Sequence, residues 1–372
     1  CPVCSSPLAR LPRFEDTIPI EENAVAHKTT ETHRLMPHLL LFLFLGMLPY
    51  SQAEVENQAK SDSTSKNSWI AYLKSIRHKQ CISGQFVRWN YNASLEEIES
   101  IHLDSGEWVG LLGADYYSND KKASPAPRCD SSLANKVIKS YYQRNGIVNL
   151  SVHIINPQDK SSAWSTKLDF DALFAEGTEA RKVLFEEFDS IAEGLNDLQK
   201  HGITVMFRPY HEMNGGWFWW GNQDRYVELW QMTHKYFVET KGMNNLLWCW
   251  SPDARGGSFD RYYPGDDYVD IVGLDAYTAD LPSIKSAYEK ITKHPKPFGL
   301  TEYGCHGGDS FDKKIDFDFS IVLEWIKKDF PETTFFLAWR DSKGMVGKPG
   351  VRKLLKDDAI VNRDDLFELK FR

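Results

Sequence analysis

Short apolar runs and longer polar or amphipathic stretches follow one another in a regular order along this chain. Eight short apolar runs recur, and each is followed by a stretch that is polar or amphipathic. Continuous apolar runs are typical of parallel strands that are covered on both faces. The runs are residues 80–86, 108–117, 146–156, 203–212, 245–252, 269–277, 297–304 and 334–340.

The stretches between these runs carry the spacing of helices. Between residues 184 and 198, apolar residues recur three or four positions apart, and Gly202 follows as a predicted C-terminal cap. After the fourth run, Asp224 is a predicted N-cap and Gly242 a predicted helix end. Eight strand–helix units predict an α/β fold, a single-domain (β/α)₈ TIM barrel over residues 68–372. A doubly wound open sheet would require a glycine-rich phosphate turn after the first strand, and the sequence has none there.

Polar and aromatic residues collect at the carboxyl ends of the predicted strands. In a TIM barrel these ends meet at one rim, which carries the functional groups. We therefore expect these residues to face one cleft and to bind or transform a substrate. In strand order they are Asp115; His153 and Asn156; Arg208, His211 and Glu212; Trp250 and Asp253; Asp275 and Tyr277; Glu302; and Trp339 and Arg340.

Glu212 and Glu302 are the two carboxylates at this rim that indicate a reaction. They lie 90 residues apart in sequence, yet a closed barrel brings the ends of the fourth and seventh strands to the same rim. Glycoside hydrolysis uses such a pair: one carboxylic acid protonates the leaving oxygen, and the other carboxylate stabilises or attacks the anomeric carbon. A separation of about 5–5.5 Å predicts retention of configuration, and a wider separation predicts inversion.

The two glutamates require different protonation states. Arg208, four residues before Glu212, and Tyr277 are predicted to hold Glu302 as a carboxylate. Glu212 is close in sequence to an aromatic run that begins at Trp217, and burial against aromatic rings favours the neutral acid. The sequence therefore predicts that Glu212 is the acid of the pair.

Tryptophan suits the flat apolar face of a sugar ring because it offers a large area with little entropy to lose. The candidate stacking residues are Trp164, Trp217, Trp250 and Trp339, and packing in the core is the alternative for each of them. His211 is predicted either to contact a sugar hydroxyl or to orient Glu212, with a structural role as its alternative. Asn214 is expected to be exposed beside the aromatic run.

Composition and the N-terminal residues limit the class of protein. The chain has 372 residues and a formal net charge of −8, and its scattered Lys and Arg do not form a basic surface for nucleic acid.

Residues 1–35 are expected to be unstructured upstream sequence. Residues 36–53 combine an apolar run that is too short for a bilayer with a small-residue cleavage site, which predicts a signal peptide and secretion without a membrane anchor. Residues 54–67 are expected to be a disordered lead-in, and a monomer is the default expectation.

The cysteines after residue 53 are Cys81, Cys129, Cys249 and Cys305. Secretion permits disulfides, and we predict that Cys81 pairs with Cys129, while Cys249 inside an apolar strand is a buried free thiol. No spacing of Cys and His matches a zinc site, and no cofactor is expected. Asn92 and Asn149 begin glycosylation sequons, and Asn149 is expected to be inaccessible inside a strand.

The rim segments together resemble glycoside hydrolase family 26, whose members are chiefly endo-acting β-1,4-mannanases. The segment similar to the acid/base motif of the family reads Arg208-Pro209-Tyr210-His211-Glu212-Met213-Asn214-Gly215 and continues as Trp217-Phe218-Trp219-Trp220-Gly221. Thr301-Glu302-Tyr303-Gly304 is similar to the nucleophile strand. Residues 152–157, 273–277 and 337–340 resemble the ends of the third, sixth and eighth strands, although Val152 stands where we expect an aromatic or a small residue. The resemblance covers about residues 68–370.

This resemblance implies a retaining double displacement, without a metal, on a polysaccharide such as mannan, glucomannan or galactomannan. It implies that Glu212 is the general acid/base and Glu302 the nucleophile. It further implies that Arg208 and Tyr277 support the nucleophile, and that His153, His211, Trp217 and Trp339 line the site of the cleaved bond. A β-1,3-1,4-glucanase or a β-1,3-xylanase on the same scaffold is the alternative activity. A non-catalytic sugar-binding barrel is the alternative of another class, and the presence of both glutamates argues against it.

Overall fold

The computed structural model describes residues 66–88, 93–118, 120–142, 146–305 and 316–369. The expected upstream sequence and signal peptide, and most of the expected lead-in, lie outside the described residues, as does the sequon at Asn92. Residues 66–76 form the first described helix, α1, which begins two residues before the predicted boundary at residue 68.

All paired strands of the described chain are parallel and belong to one sheet. The strands are β1 (Cys81–Ile82), β2 (Gly84–Phe86), β3 (Leu111–Asp115), β4 (Ile147–Val152), β5 (Thr204–Pro209), β6 (Leu246–Trp250), β7 (Ile271–Tyr277), β8 (Phe298–Gly304), β9 (Thr333–Ala338) and β10 (Ile360–Val361). Strands β2 to β8 pair in sequence order, and β9 pairs with β8 on one side and with β1 and β2 on the other. The sheet therefore closes into an eight-stranded barrel in which β1 and β2 share the first position.

Helices occupy the segments between the barrel strands. They are α2 (Glu96–Ser105), α3 (Ser132–Tyr142), α4 (Glu179–Lys200), α5 (Tyr226–Lys235), α6 (Lys285–Ile291), α7 (Ser320–Asp329), α8 (Val351–Leu355) and α9 (Arg363–Leu369). Shorter helical turns are Phe170–Leu173, Tyr236–Thr240, Asp260–Tyr262, Asp266–Tyr268, Leu281–Ile284 and Asp341–Lys343. The predicted (β/α)₈ barrel is confirmed. None of the described helices is long and apolar enough to cross a membrane.

Two predicted helix ends can be compared with the observed caps. Gly202 follows α4 with φ +67°, as the predicted C-terminal cap requires. The prediction for Asp224 is wrong, because α5 begins after Arg225 and no side chain caps it. Asp224 instead accepts a hydrogen bond from Arg261, at 3.0 Å.

Two apolar layers hold the barrel together. Its interior is filled by side chains such as Ile82, Phe86, Met206, Leu247, Cys249 and Leu337, and Leu73 and Ile76 of α1 pack against this cluster. A larger layer lies between the strands and the surrounding helices. The barrel strands are rich in apolar residues because both of their faces are buried.

The cysteine prediction was half right. Cys249 is a buried free thiol, as predicted. The predicted pair of Cys81 and Cys129 is wrong, because both are free thiols. Cys81 lies buried on β1, whereas Cys129 lies on the loop before α3, where its backbone N–H donates to Glu187. The Asn149 side chain is fully buried on β4, so its sequon is inaccessible in the fold.

Candidate active site

The chain turns sharply where β5 ends, and this turn places Glu212. Tyr210 and Glu212 both have φ +54°, in the left-handed region that residues other than glycine rarely adopt. The Glu212 backbone N–H donates to the Ser251 carbonyl oxygen at 2.8 Å, which ties the turn to the segment after β6. Local backbone strain of this kind is found preferentially at functional sites.

Glu302 lies inside β8, and an irregularity in the neighbouring strand pairing sets its position. Leu274 of β7 pairs with Leu300, but the next residue, Asp275, pairs with Glu302, so the register shifts by one residue. Such bulges re-aim side chains at the rims of barrels. The skipped residue, Thr301, donates its hydroxyl to Asp275 Oδ1 at 2.7 Å.

The structure brings the two glutamates together. One carboxylate oxygen each of Glu212, Asp275 and Glu302 lies within 4.8 Å of the other two. Glu212 is 8% exposed and Glu302 is 3% exposed, so both carboxyl groups lie in a largely dry site. Three carboxylates have the donor set of a cation site, but the guanidinium of Arg208 already pairs with two of them.

Both carboxylate oxygens of Glu302 accept hydrogen bonds. Arg208 Nη2 donates to Oε1, and the Tyr277 hydroxyl donates to Oε2 at 2.5 Å. Arg208 Nη1 donates to Asp275 Oδ2 at 2.6 Å and to the Ser251 hydroxyl at 3.0 Å. The fork of Arg208 therefore bridges two carboxylates, and its charge-assisted bonds hold Glu302 in one orientation.

Glu212 has a different environment. Its Oε2 accepts one hydrogen bond, from Trp217 Nε1 at 2.7 Å. Burial raises the pKa of Glu212 well above its ordinary value, and the nearby carboxylates of Asp275, Glu302 and Asp253 raise it further. The direction of this shift favours the protonated form of Glu212.

Two histidines lie beside the glutamates. His153 Nδ1 lies 2.7 Å from Asp115 Oδ2, and this contact orients the ring so that Nε2 is directed away from Asp115. The His211 ring is 4.8 Å from that of His153, and His211 Nε2 is 3.9 Å from Glu302 Oε1. Burial lowers the pKa of His211 well below its ordinary value, as do the charges of Arg208 and His153, so His211 is neutral.

Three of the four predicted tryptophans are linked to this cluster by contacts. Trp217 is half-buried and contacts Glu212. The Trp339 ring packs 4.6 Å from Phe86 and 5.9 Å from Tyr277. Trp164 is half-buried 4.7 Å from Phe218, which in turn packs 5.3 Å from His153 and 5.1 Å from His211.

Comparison with known proteins identifies the family of this chain. The family model for glycosyl hydrolase family 26 matches residues 55–365. The chain belongs to this family. A mannan endo-1,4-β-mannosidase of Bacillus subtilis strain 168 is 31% identical over 332 residues, which are 86% of this chain and 90% of the relative.

Solved structures agree with the family. A Bacillus subtilis mannanase has a TM-score of 0.72 and 32% identity to this chain, and the match covers 83% of this chain and 94% of that one. A β-mannanase from a symbiotic protist of the termite Reticulitermes speratus, solved with a gluco-manno-oligosaccharide, has a TM-score of 0.62 and 25% identity. That match covers 79% of this chain and 92% of the protist enzyme.

Other expected site residues of this family 26 chain lie elsewhere. Trp250 is fully buried between the barrel and the outer layer, where it packs 5.8 Å from Phe259 and 5.2 Å from Tyr263. The reason is the alternation of side chains along β6: Cys249 joins the cluster inside the barrel, so the next side chain points outward. The faces of the Trp250 ring are therefore covered by protein, so Trp250 does not occupy the expected sugar-stacking position.

Asn156, Asp115 and Asn214 bind protein groups in this structure. Asn156 Nδ2 donates to the carbonyl oxygen of Ser165 at 2.8 Å, so Asn156 holds the loop that carries Trp164. Asp115 is fully buried behind His153. Asn214 was expected to be exposed but is buried, and it donates to the carbonyl oxygen of Asp253 at 2.9 Å.

Three residues that contact this cluster were not singled out from the sequence. They are Ser251, which accepts from Arg208; Thr301, which donates to Asp275; and Phe218, which packs between Trp164 and the histidines. Ser251 is a polar residue directly after an apolar strand, the same signal that identified its neighbours. Thr301 gave no signal, because only the register shift beside it sets its direction.

Proposed function

We propose that this chain is a secreted endo-β-1,4-mannanase that cleaves mannan, glucomannan or galactomannan with retention of configuration. The substrate class is supported by the family and by relatives such as the mannan endo-1,4-β-mannosidase of Bacillus subtilis. The mechanism is supported by one observation above all. Oxygens of Glu212 and Glu302 lie within 4.8 Å of each other, which is close to the spacing of about 5–5.5 Å in retaining enzymes and far below the ~6.5–9.5 Å of inverting ones.

The environments of the two glutamates favour one assignment of roles. In the first step, a Glu302 oxygen attacks the anomeric carbon while Glu212 gives its proton to the leaving glycosidic oxygen, so that a glycosyl ester forms and the C–O bond to the leaving sugar breaks. In the second step, Glu212 takes a proton from water, the water oxygen attacks the anomeric carbon, and Glu302 leaves as a carboxylate. The raised pKa of Glu212 supports its role as the acid.

The surrounding side chains support binding and orientation in this mechanism. Arg208 and Tyr277 keep both Glu302 oxygens hydrogen-bonded, which orients the carboxylate for attack. His153, His211, Trp217 and Trp339 are proposed to contact the sugars on either side of the cleaved bond. Asp115 is proposed to act through His153, and Asp275 through Arg208, since neither needs to touch the sugar.

Three measurements test the proposal. A reducing-sugar assay on mannan, glucomannan, galactomannan, xylan and cellulose should show preference for the mannans, and a preference for a β-1,3-1,4-glucan or a β-1,3-xylan would replace the substrate assignment. Proton NMR of the first products should show the β-anomer, and an initial α-anomer would refute retention. Glu302→Ala and Glu212→Ala should each abolish mannan hydrolysis in a folded protein, and near-normal turnover by either would remove its assigned role.

Secretion is proposed from residues 36–53 alone. N-terminal sequencing of the protein released into the medium should place the mature start near Glu54. Recovery of an uncleaved chain inside the cell would refute it.

A further inference from the structure

The pairing of β5 with β6 ends before the turn that carries Glu212. The last paired residues of the two strands are Phe207 and Trp248. Tyr210 and Glu212 then adopt the left-handed backbone, which is costly for residues other than glycine and persists where surrounding contacts hold it. The position of the Glu212 carboxyl group therefore depends on bonds that lie beyond the paired strands.

Asn214 supplies such bonds with every polar group of its side chain. Its Oδ1 accepts from the Asp253 backbone N–H at 2.9 Å, and its Nδ2 donates to the carbonyl oxygens of Asp253 at 2.9 Å and of Gly257 at 3.1 Å. Asn214 is 6% exposed, so these bonds are shielded from water. A side-chain amide can both accept from and donate to one backbone residue, as a neighbouring strand does. Asn214 thus continues the contact between β5 and β6 past the ends of both strands.

The segment that Asn214 binds is joined in turn to β7. The Ala254 backbone N–H donates to the Asp275 carbonyl oxygen at 2.9 Å, and the Asp275 backbone N–H donates to the Pro252 carbonyl oxygen at 3.1 Å. Asp275 pairs with Glu302 of β8. The hydrogen bonds are therefore continuous from the turn after β5, through the loop after β6, to the strand that carries Glu302.

Gly256, in the same loop, lies close to the amide of Asn214. A Cβ at Gly256 would lie 2.4 Å from Asn214 Nδ2 and 2.9 Å from Asn214 Cγ. Gly256 is exposed and its φ is not left-handed, so the close amide is what restricts this position. The amide can therefore be displaced from the side of the loop as well as removed at Asn214.

We propose that Asn214 is a positioning residue that sets the distance between the carboxyl groups of Glu212 and Glu302. It acts through the backbone of the loop after β6. The inference rests on the proposed function, because it assumes that Glu212 protonates the leaving oxygen. A displaced acid slows the departure of a sugar, which needs a proton, more than the departure of a group that leaves as a stable anion.

The test compares kcat/KM of the purified full chain on two substrates that differ in their leaving group. One is a β-1,4-manno-oligosaccharide, whose leaving sugar must take a proton. The other is a dinitrophenyl β-mannobioside, whose phenolate leaves without one. Asn214→Ala should lower kcat/KM on the oligosaccharide roughly 10–100-fold, as a displacement of about 1 Å does, and on the aryl substrate less than about twofold.

Gly256→Ala should show the same selective loss, because its methyl group displaces the Asn214 amide. In an Asn214→Ala background it should add little, because the amide is gone. Asn245→Ala is the matched control. Asn245 is also buried, and it donates to the Ile203 carbonyl oxygen at 3.0 Å, at the amino ends of β5 and β6. Its removal should leave both substrates at wild-type values.

Glu212→Ala calibrates the assay, since it should show the largest difference between the two substrates. If Glu212→Ala slows both equally, the proposed acid role of Glu212 fails, and the role of Asn214 fails with it. If Glu212→Ala shows the difference while Asn214→Ala slows both substrates equally, or neither, only the role of Asn214 is overturned. Should Asn214→Ala not fold, the same two outcomes for Gly256→Ala overturn that role.

Discussion

The hydrogen bond from Trp217 to Glu212 should set the alkaline limit of activity. Trp217 Nε1 donates to Glu212 Oε2 at 2.7 Å, and this bond favours the ionised form of the carboxyl group. Trp217→Phe keeps an aromatic ring and removes the donor. The pKa of Glu212, already raised by burial and by three neighbouring carboxylates, should therefore rise further.

The size of the shift follows from the strength of the bond. A hydrogen bond to a charged acceptor contributes about 1.5–3 kcal/mol, and one pKa unit corresponds to about 1.36 kcal/mol. Trp217 is half-buried, so the lower end applies and the expected rise is about one pKa unit. Because the proposed first step needs protonated Glu212, activity should be lost as the pH rises through this pKa. The alkaline limb should therefore move up by about one pH unit.

The assay is the pH profile of kcat/KM on a soluble manno-oligosaccharide, since that parameter reports the free enzyme and the first step. Trp217→Phe also removes stacking area, which should lower kcat/KM at every pH without moving the alkaline limb. Trp69→Phe, at α1 beside the barrel interior, is the control and should keep the wild-type limb. A limb that stays in place or moves to lower pH in Trp217→Phe would refute the reasoning.

Three further substitutions test the network. Arg208→Lys should lower kcat roughly 10–100-fold, because a single ammonium cannot replace the fork that bridges Asp275 and Glu302; steady-state kinetics measure this, and unchanged kcat would contradict it. Asp115→Asn should lower kcat/KM about tenfold in the wild type and have little effect in a His153→Ala background, because Asp115 acts through that ring. Glu212→Gln should raise the melting temperature at pH 8 but not near pH 4. Folded Glu212 keeps a proton that the unfolded chain releases above about pH 4.3, so the wild-type protein loses stability as the pH rises, and a neutral Gln removes this loss. Equal melting temperatures at pH 8 would contradict this last prediction.

The barrel could be predicted because each of its strands is an apolar run long enough to recognise. All eight predicted runs overlap a barrel strand, and β9 begins at Thr333, one residue before its run. β10 was missed because Ile360–Val361 is too short to show a period. Asp224 failed as a cap because an acidic residue before a helix can bind another partner, here Arg261.

The residues at the barrel rim could be predicted from the sequence, but the directions in which their side chains point could not. In β6 both faces are buried, so the sequence gives no sign that Cys249 points inward and Trp250 outward. Asn156 is polar at a strand end, like the glutamates, but its partners are backbone groups of its own loop. A polar residue at a rim can bind either protein or substrate, and only coordinates distinguish the two.

The proposed division of roles between the glutamates follows from the small number of hydrogen-bond donors in the site. Arg208 commits its two terminal nitrogens to Asp275 and Glu302, and Tyr277 takes the second oxygen of Glu302. Glu212 is left with a neutral indole as its donor and with negative charge from its neighbours. Three carboxyl groups and one guanidinium in a dry site cannot all be ionised cheaply. Burial raises the pKa of both Glu212 and Asp275, and the charge of Arg208 offsets this rise at Asp275. In the proposed mechanism, the bonds from Arg208 orient Glu302 for attack and leave Glu212 without a charged donor, so a change in Arg208 should disturb both steps of the reaction.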